Sequence, residues 1–210
     1  MKRDKTYSRL QYISDGETLE LQERNIRQAL AFGANWIQLR WKKNKDEAFE
    51  SFAKNVRVLC TKHQACFIIN DHVDTAKKVE ADGVHLGLDD MSVLDARRIL
   101  GTNKIIGGTA NTLDHVLSRT EENCDYIGLG PFRFTSTKQK LSPILGLDGY
   151  QEITDLLTKR NISAPPIYAI GGIRVNDISD LKEIGIHGVA VSGLINNDPK
   201  IIQTIQSKWL

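Results

Sequence analysis

The chain reads as an α/β protein, a single-domain (β/α)8 TIM barrel over residues 1–210, and three observations lead there. Short runs rich in β-branched and aromatic residues alternate with longer stretches of 3.6-residue apolar period, about eight times over. No Pro/Ser-rich linker or low-complexity tract interrupts the alternation. At 210 residues the chain can bury a sizeable core without staples, yet it sits near the ~200-residue lower limit of an eight-unit barrel, so its loops must be short. The rival architecture, a doubly wound open sheet, usually carries a Gly-rich turn after its first strand. Here that turn is Ser14-Asp15-Gly16, which is not G-x-G-x-x-G.

Taken in order, Leu10–Ile13 is the first strand and Leu19–Phe32 the first amphipathic helix, ending in the small-residue turn Phe32-Gly33-Ala34. Trp36–Leu39 follows, then a second helix over Asp46–His63 and a third strand over Cys66–Ile69. The turn Glu80-Ala81-Asp82-Gly83 opens the strand Gly83–Leu86. Ser92 with Asp95 three residues on resembles a capping box, and Gly101 closes that helix before the strand Lys104–Ile106. Thr112 is the next N-cap candidate. Tyr126–Leu129 is stopped by Gly130-Pro131, because proline offers no N–H to a neighbouring ladder. Ile167–Ile170 and Gly188–Val191 complete the strands, with Asn176 a further N-cap candidate and Ile184-Gly185-Ile186 the turn between them. Counting the last, eight helical segments lie among these strands. The C-terminal stripe Ile201, Ile202, Ile205 and Trp209 is either core or a contact with a second copy, so a homo-oligomer stays open.

Composition excludes several classes. Net charge is +2 from 28 basic and 26 acidic residues, with no basic block, so there is no case for nucleic acid and any anion site must be local. Three cysteines, Cys60, Cys66 and Cys124, lack Cys-x-x-Cys spacing and are odd in number, which argues against a disulfide framework or zinc site and for buried free thiols. No apolar run approaches ~18 residues, and MKRDKTYSRL lacks the apolar centre of a signal peptide. A cytoplasmic protein with no membrane partner is expected.

In a barrel the chemistry sits at the C-terminal strand ends. Those ends carry Gln38, Arg40, Lys42 and Lys43 at strand two, Asn70 and Asp71 at strand three, Asp89 and Asp90 at strand four, and Thr109 and Asn111 at strand five. After strand six comes a loop with Thr135, Ser136, Thr137, Lys138 and Lys140, whose hydroxyls and ammonium groups suit phosphate oxygens. Gly171-Gly172 and Ser192-Gly193 close strands seven and eight, where barrels build phosphate sites from backbone N–H groups. Asp71 and Asp89 come from neighbouring strand ends and would repel unless a cation lay between them; magnesium, a hard ion held by one or two carboxylates plus phosphates and water, is the natural choice. The plainer alternative has Asp71 capping the following helix and Asp90 simply solvated. His85, flanked by Val84 and Leu86, is expected to be packed and hydrogen-bonded rather than a ligand. The inventory is two anion sites and one metal site. One phosphate is held near strands seven and eight, and a more highly charged group, which a diphosphate fits, by Arg40, Lys42, Lys138 and magnesium. That points to group transfer with diphosphate leaving.

Five stretches then carry a family resemblance: Gln38-Leu39-Arg40-Trp41-Lys42, Ile69-Asn70-Asp71-His72-Val73-Asp74, the run from Asp82 through Gly87-Leu88-Asp89-Asp90-Met91, Gly128-Leu129-Gly130-Pro131 through Thr135-Ser136-Thr137-Lys138, and Ala169-Ile170-Gly171-Gly172-Ile173. Together they run through nearly the whole chain, and in this order they resemble the thiamine phosphate synthase family. The resemblance implies a (β/α)8 enzyme joining 4-amino-2-methyl-5-pyrimidinylmethyl diphosphate to a thiazole phosphate, plain or carboxylated, through a dissociative pyrimidinylmethyl cation. It implies Gln38, Arg40, Lys42, Asn70 and Lys138 as ligands of the pyrimidine diphosphate, Arg40, Lys42 and Lys138 being the catalytic cations. It implies Asp71 and Asp89 as the Mg2+ ligands, with Thr109 where the family usually has serine. Thr135 and Thr137 would hold the thiazole phosphate, helped by backbone at Gly172 and at Ser192-Gly193, although an ungapped alignment sets Gly193 at the family's serine. No general base is implied. Trp41, Leu88, the segment Gly108-Thr109-Ala110-Asn111 and the pair Arg133-Phe134 depart from the family pattern; they bear on substrate detail more than on reaction type. Two rivals remain: the related thiazole tautomerase, which typically carries histidine at the position of Pro131 and lacks the complete Thr-x-Thr-Lys loop, and a barrel that binds thiamine precursors without catalysis.

Overall fold

The computed structural model describes residues 7–43, 47–134 and 143–209. Strands β1 (Leu10–Ile13), β2 (Trp36–Leu39), β3 (Cys66–Asn70), β4 (Gly83–Leu86), β5 (Ile105–Ala110), β6 (Tyr126–Leu129), β7 (Ile167–Ile170) and β8 (Gly188–Val191) close in chain order into a parallel barrel, with β8 pairing back onto β1. Around them run α1 (Leu19–Ala31), α2 (Glu47–Lys62), α3 (Val73–Lys78), α4 (Val93–Leu100), α5 (Leu113–Glu121), α6 (Gly146–Lys159), α7 (Asp177–Glu183), α8 (Gly193–Asn197) and α9 (Ile201–Lys208). This is the α/β barrel that the alternation predicts.

Six strands fall on the expected residues, while β3 and β5 run further. Gly107-Gly108 looks like a break in the sequence, yet the ladder continues through it, Gly107 opposite Tyr126 and Thr109 opposite Gly128. Both glycines are there for space. A Cβ on Gly107 would lie 2.1 Å from Cζ of Tyr126 inside the barrel, and one on Gly108 would lie 2.7 Å from Cδ of Arg119 outside it. Consequently Asn70 and Thr109 stand within strands rather than after them.

The helix signals mostly hold. Ser92 Oγ accepts from the Asp95 N–H at 3.1 Å and Gly101 ends α4 at φ +85°, the left-handed region glycine adopts freely. Thr112 Oγ1 accepts from the His115 N–H at 3.2 Å. Asn176 makes no capping bond; its neighbour Asp177 instead accepts from the Arg174 N–H at 2.7 Å. The last helical segment is divided, because Asp198 precedes Pro199 and is driven extended, which ends α8.

Strand alternation sorts side chains between two cores. Outward residues such as Ile37, Phe67 and Val84 pack under the helices, joined by Ile202, Ile205 and Trp209, so the C-terminal stripe is core. Inward residues Trp36, Ile68, Ile105, Tyr126 and Tyr168 plug the N-terminal end of the barrel. There the Trp36 ring meets Tyr126 and Tyr168 edge-on at 4.9 and 5.2 Å. Cys60 and Cys124 are buried free thiols, and desolvation pushes each up to about 12; Cys66 is free and half-buried. Among the described residues no helix is long and apolar enough to cross a membrane.

Candidate active site

The inward face changes character two residues further along. Gln38 follows Trp36 and Asn70 follows Ile68 on the same pleat, and Thr109 lies four residues beyond Ile105. These side chains form the inner wall of a cavity of about 520 Å³ at the C-terminal mouth, with Asp15, Arg40, His85, Pro131, Phe134 and residues 170–173 and 190–194 completing it. Gln38, Arg40, Asn70, Thr109, Gly171, Gly172, Ser192 and Gly193 therefore share one site, as their strand-end positions predict.

Arg40 is held by a buried frame that sequence reasoning missed. Its N–H donates to Ser14 Oγ at 3.0 Å, that hydroxyl donates to Gln22 Oε1 at 2.5 Å, and Gln22 Nε2 returns to the Arg40 carbonyl at 3.0 Å. Both backbone groups of Arg40 are thus fixed from β1 and α1. Burial lowers the pKa of the Arg40 guanidinium, while the Asp71 and Asp15 carboxylates oppose this. Burial and the Arg40 charge likewise lower the Lys42 ammonium, again opposed by Asp71 and Asp15. Arg40, Lys42, Asp71 and Asp15 are one electrostatic group. Asp15, in the turn read only for its lack of a Gly-rich pattern, belongs to it.

Asp71 takes a left-handed φ of +66° and donates its N–H to the His85 carbonyl at 2.8 Å, tying the end of β3 to β4. The residue at the cap of α3 is His72, which makes no side-chain capping bond. Asp89 is exposed in the turn after β4, and Asp90, expected to be solvated, accepts from the Gly87 N–H at 2.5 Å. Lys42, Asp71 and Asp89 lie outside the cavity wall. Among the described residues no group of three or more His, Cys, Asp or Glu side chains could hold a metal. The donor set available to magnesium is two carboxylates from adjacent strand ends, which fits an ion that takes its other ligands from phosphate and water. The expected ligands Thr135, Thr137 and Lys138 lie outside the described residues; Phe134, just before them, lines the cavity.

The opposite wall is built from turns. Gly171 and Gly172 have φ of +85° and +68°, and a Cβ on either would come within 2.8 Å of Pro131 Cβ or 2.7 Å of Arg133 Cβ respectively. Arg133, noted in the sequence only as a departure, grips Asp177 through both guanidinium nitrogens and donates to the Gly172 carbonyl at 3.1 Å. Burial alone would raise the Asp177 carboxyl, yet the Arg133 guanidinium and the Arg174 N–H hold it below its usual range. Ser192 Oγ is buried at this wall with no partner among the described residues, whereas Gly193 has open space beside it. A hydroxyl so placed costs about 1–3 kcal/mol unless something bonds to it.

His85 is packed and hydrogen-bonded as expected, its Nε2 3.0 Å from Thr109 Oγ1 and its Nδ1 3.0 Å from the Tyr126 hydroxyl. Arg119, from α5, donates to the carbonyls of Thr109 and Gly87 at 3.1 and 2.8 Å and so braces the ends of β5 and β4.

The Arg40 guanidinium in the cavity wall, with a glycine turn and an unpaired hydroxyl in the same lining, suits a phosphorylated small molecule, and the class is that of (β/α)8-barrel enzymes with a phosphate-handling mouth. Residues 10–195 match the family described as thiamine monophosphate synthase. Relatives bearing the name thiamine-phosphate synthase include that of Flavobacterium psychrophilum, 54% identical over 200 residues that cover 95% of this chain and 96% of the relative. That of Flavobacterium johnsoniae is 53% identical over 205 residues and covers 96% of both chains. Among solved structures, thiamine phosphate pyrophosphorylase from Pyrococcus furiosus superposes with a TM-score of 0.80 at 28% identity, over 96% of each chain. A 3-hexulose-6-phosphate synthase, at 15% identity and a TM-score of 0.71, shares the fold alone. The chain belongs to the thiamine monophosphate synthase family, which makes it a transferase of thiamine biosynthesis.

Proposed function

We propose that this chain makes thiamine phosphate by transferring a 4-amino-2-methyl-5-pyrimidinylmethyl group from its diphosphate to the nitrogen of a thiazole phosphate, with diphosphate departing before the new bond forms. Thiamine phosphate synthesis is the function that the family match and the relatives at more than half identity support. The observation that carries the mechanistic detail is the shared cavity: Gln38, Arg40, Asn70 and Thr109 stand on its inner wall, and the glycine turn and Ser192 face them.

In this reading Gln38, Asn70 and Thr109 hold the pyrimidine ring. Arg40, Lys42 and Lys138 stand beside its diphosphate. As the C–O bond stretches, negative charge gathers on the leaving group, and cations already fixed there favour the transition state over the ground state. The frame of Ser14 and Gln22 fixes the Arg40 backbone from which that side chain extends. Asp71 and Asp89 would hold a magnesium ion, which when bound supplies further neutralisation of the leaving group's charge. Ser192 Oγ, the backbone at Gly171-Gly172 and Gly193, and Thr135 and Thr137 receive the phosphate of the thiazole, directing its nitrogen at the pyrimidinylmethyl carbon. That nitrogen needs no general base to attack a cation. The reading places the reaction in the cytoplasm with small-molecule substrates.

The test is a coupling assay with pyrimidinylmethyl diphosphate, thiazole phosphate and magnesium, thiamine phosphate being read after oxidation to fluorescent thiochrome. Product that requires magnesium and stops on chelation is expected; folded protein that binds substrate without forming product would reject the transfer. Asp71→Asn should cost at least about tenfold in turnover and weaken the magnesium dependence. Asparagine tolerates the left-handed backbone, so the fold should be kept. Unchanged kinetics would remove Asp71 from the metal site.

A further inference from the structure

Five side chains join into one hydrogen-bonded chain across the barrel beneath the cavity. Gln38 Nε2 donates to Gln11 Oε1 at 2.8 Å, and Gln11 Nε2 donates to the Tyr126 hydroxyl at 3.1 Å. That hydroxyl lies 3.0 Å from His85 Nδ1, and His85 Nε2 lies 3.0 Å from Thr109 Oγ1. With the Tyr126 oxygen accepting from Gln11, the arrangement that uses every proton sends the phenol proton to His85 Nδ1. His85 then carries its proton on Nε2 and gives that bond to Thr109. The two ends of the chain, Gln38 and Thr109, both line the cavity. With its Nε2 turned to Gln11, Gln38 has its Oε1 left to offer as an acceptor, and Thr109, accepting from His85, has its hydroxyl proton left to donate.

In this arrangement each link holds one proton, so reversing one link favours reversing the next. Turning the Gln38 amide over would turn Gln11, Tyr126 and His85, and Thr109 would have to spend its proton on His85. The neighbouring backbone is shaped to hold the chain: Gly107 leaves the space that Tyr126 fills, and a Cβ on Gly128 would stand 3.1 Å from His85 Cε1. Burial holds the Tyr126 phenol well above its usual pKa, so the central proton stays in place.

We propose that Tyr126 is a positioning residue which, through Gln11 and His85, ties the orientation of the Gln38 amide to that of the Thr109 hydroxyl, so that the donor-substrate ring meets them as one acceptor–donor pair. This rests on the reading that Gln38 and Thr109 hold that ring. An aminopyrimidine is complementary, with an exocyclic amine to donate and ring nitrogens to accept.

The test separates this role from a merely structural one. Tyr126→Phe removes the central proton, and Gln11→Leu cuts the chain on the other side. Each variant should raise KM for the pyrimidine diphosphate by roughly tenfold while leaving KM for the thiazole phosphate unchanged. Because a chain already cut loses nothing more, the double variant should match the single ones rather than multiply their effects. Gln11→Leu alone strands fewer buried groups than Tyr126→Phe, only Gln38 Nε2, so it keeps the test available if Tyr126→Phe folds poorly. Unmoved KM for the pyrimidine diphosphate, equal changes for both substrates, or multiplied effects in the double variant would overturn the coupling. Wild-type protein assayed alongside tells the two proposals apart. No product from the wild type rejects the transfer reaction and the coupling with it, whereas normal wild-type turnover with unmoved KM in the variants rejects the coupling alone.

Discussion

The barrel interior has a lower and an upper layer drawn from the same strands, and they solve opposite problems. Below, Trp36, Ile68, Ile105, Tyr126 and Tyr168 fill the N-terminal end with apolar and aromatic surface, tightly enough that Trp36 Nε1 is buried with no partner among the described residues. Above, Gln38, Asn70, His85 and Thr109 present polar atoms to a cavity, and three of these four belong to one proton chain. Tyr126 belongs to both, its ring in the lower layer and its hydroxyl in the upper. The backbone is the same in the two layers, so the contrast comes from side chains alone. Stability is invested at one end of a strand and chemistry at the other, two to four residues away. Substitutions should therefore divide cleanly between melting temperature and kinetics, and each of those below is a place where that division could fail.

The largest effect is expected in the lower layer. Trp36→Ala removes a fully buried ring against which Tyr126 and Tyr168 pack, and should cost about 3–5 kcal/mol. At this size that corresponds to a drop of roughly 6–20 °C in Tm, with KM for both substrates unchanged in the protein that remains folded. Altered KM in a folded Trp36→Ala protein would break the separation of the layers. Next comes Arg40→Ala at the mouth, which should lower kcat by about 10²–10³-fold, as removal of one preorganised charge-stabilising group does elsewhere, with Tm nearly constant. A large Tm loss would mean that the Arg40 side chain serves the fold rather than the site.

Ser192→Ala sharpens the comparison because its two effects have opposite sign. The hydroxyl is buried without a partner, so removing it should leave the free enzyme as stable or slightly more stable. If the phosphate of the thiazole completes that hydroxyl's bonding, KM for the thiazole phosphate should rise by roughly tenfold. Steady-state kinetics with each substrate varied in turn, beside a thermal melt, measures both. A lower Tm with unmoved KM would assign Ser192 to the fold.

How far the sequence shows all this depends on the distance over which each feature is decided. Strand and helix positions follow from local period and caps, and Trp36–Leu39 or the Ser92–Gly101 helix could be read directly. Arg40, Asn70 and the Gly171-Gly172 turn were legible because a barrel collects its strand ends at one mouth. Local reading failed at Gly107-Gly108, where glycine looks like a strand breaker until Tyr126 and Arg119 are seen to occupy the missing side chains' space. The polar chain was invisible for the same reason. Gln11 and Tyr126 are 115 residues apart, and only closure of the barrel makes them partners. Asp177 was passed over for Asn176, since a cap is judged from its own helix and the partner that claims Asp177, Arg133, arrives from another loop.

The smallest effect concerns that pair, and it tests whether the upper end contributes to stability at all. Arg133 and Asp177 lock the loop after β6 onto the turn after β7. Asp177 is held below the usual carboxylate range, so the folded protein binds its proton more weakly than the unfolded chain does. The pair's contribution is thus fully present above the ordinary aspartate value of ~3.9 and is lost as pH falls through the lower folded value. Arg133 is partly solvated, which limits the gain, and Asp177→Asn should cost only about 0.5–1 kcal/mol at neutral pH. Melts of parent and variant from pH 7 downward should show the parent's lead intact until about pH 4 and shrinking below it. A lead that persists into stronger acid would mean that the Asp177 carboxyl holds the turn through hydrogen bonds such as that from the Arg174 N–H rather than through charge. Loss of that lead with no change in KM for the thiazole phosphate would make the clamp a piece of the lower layer's chemistry transplanted to the mouth, holding the turn without touching what binds there.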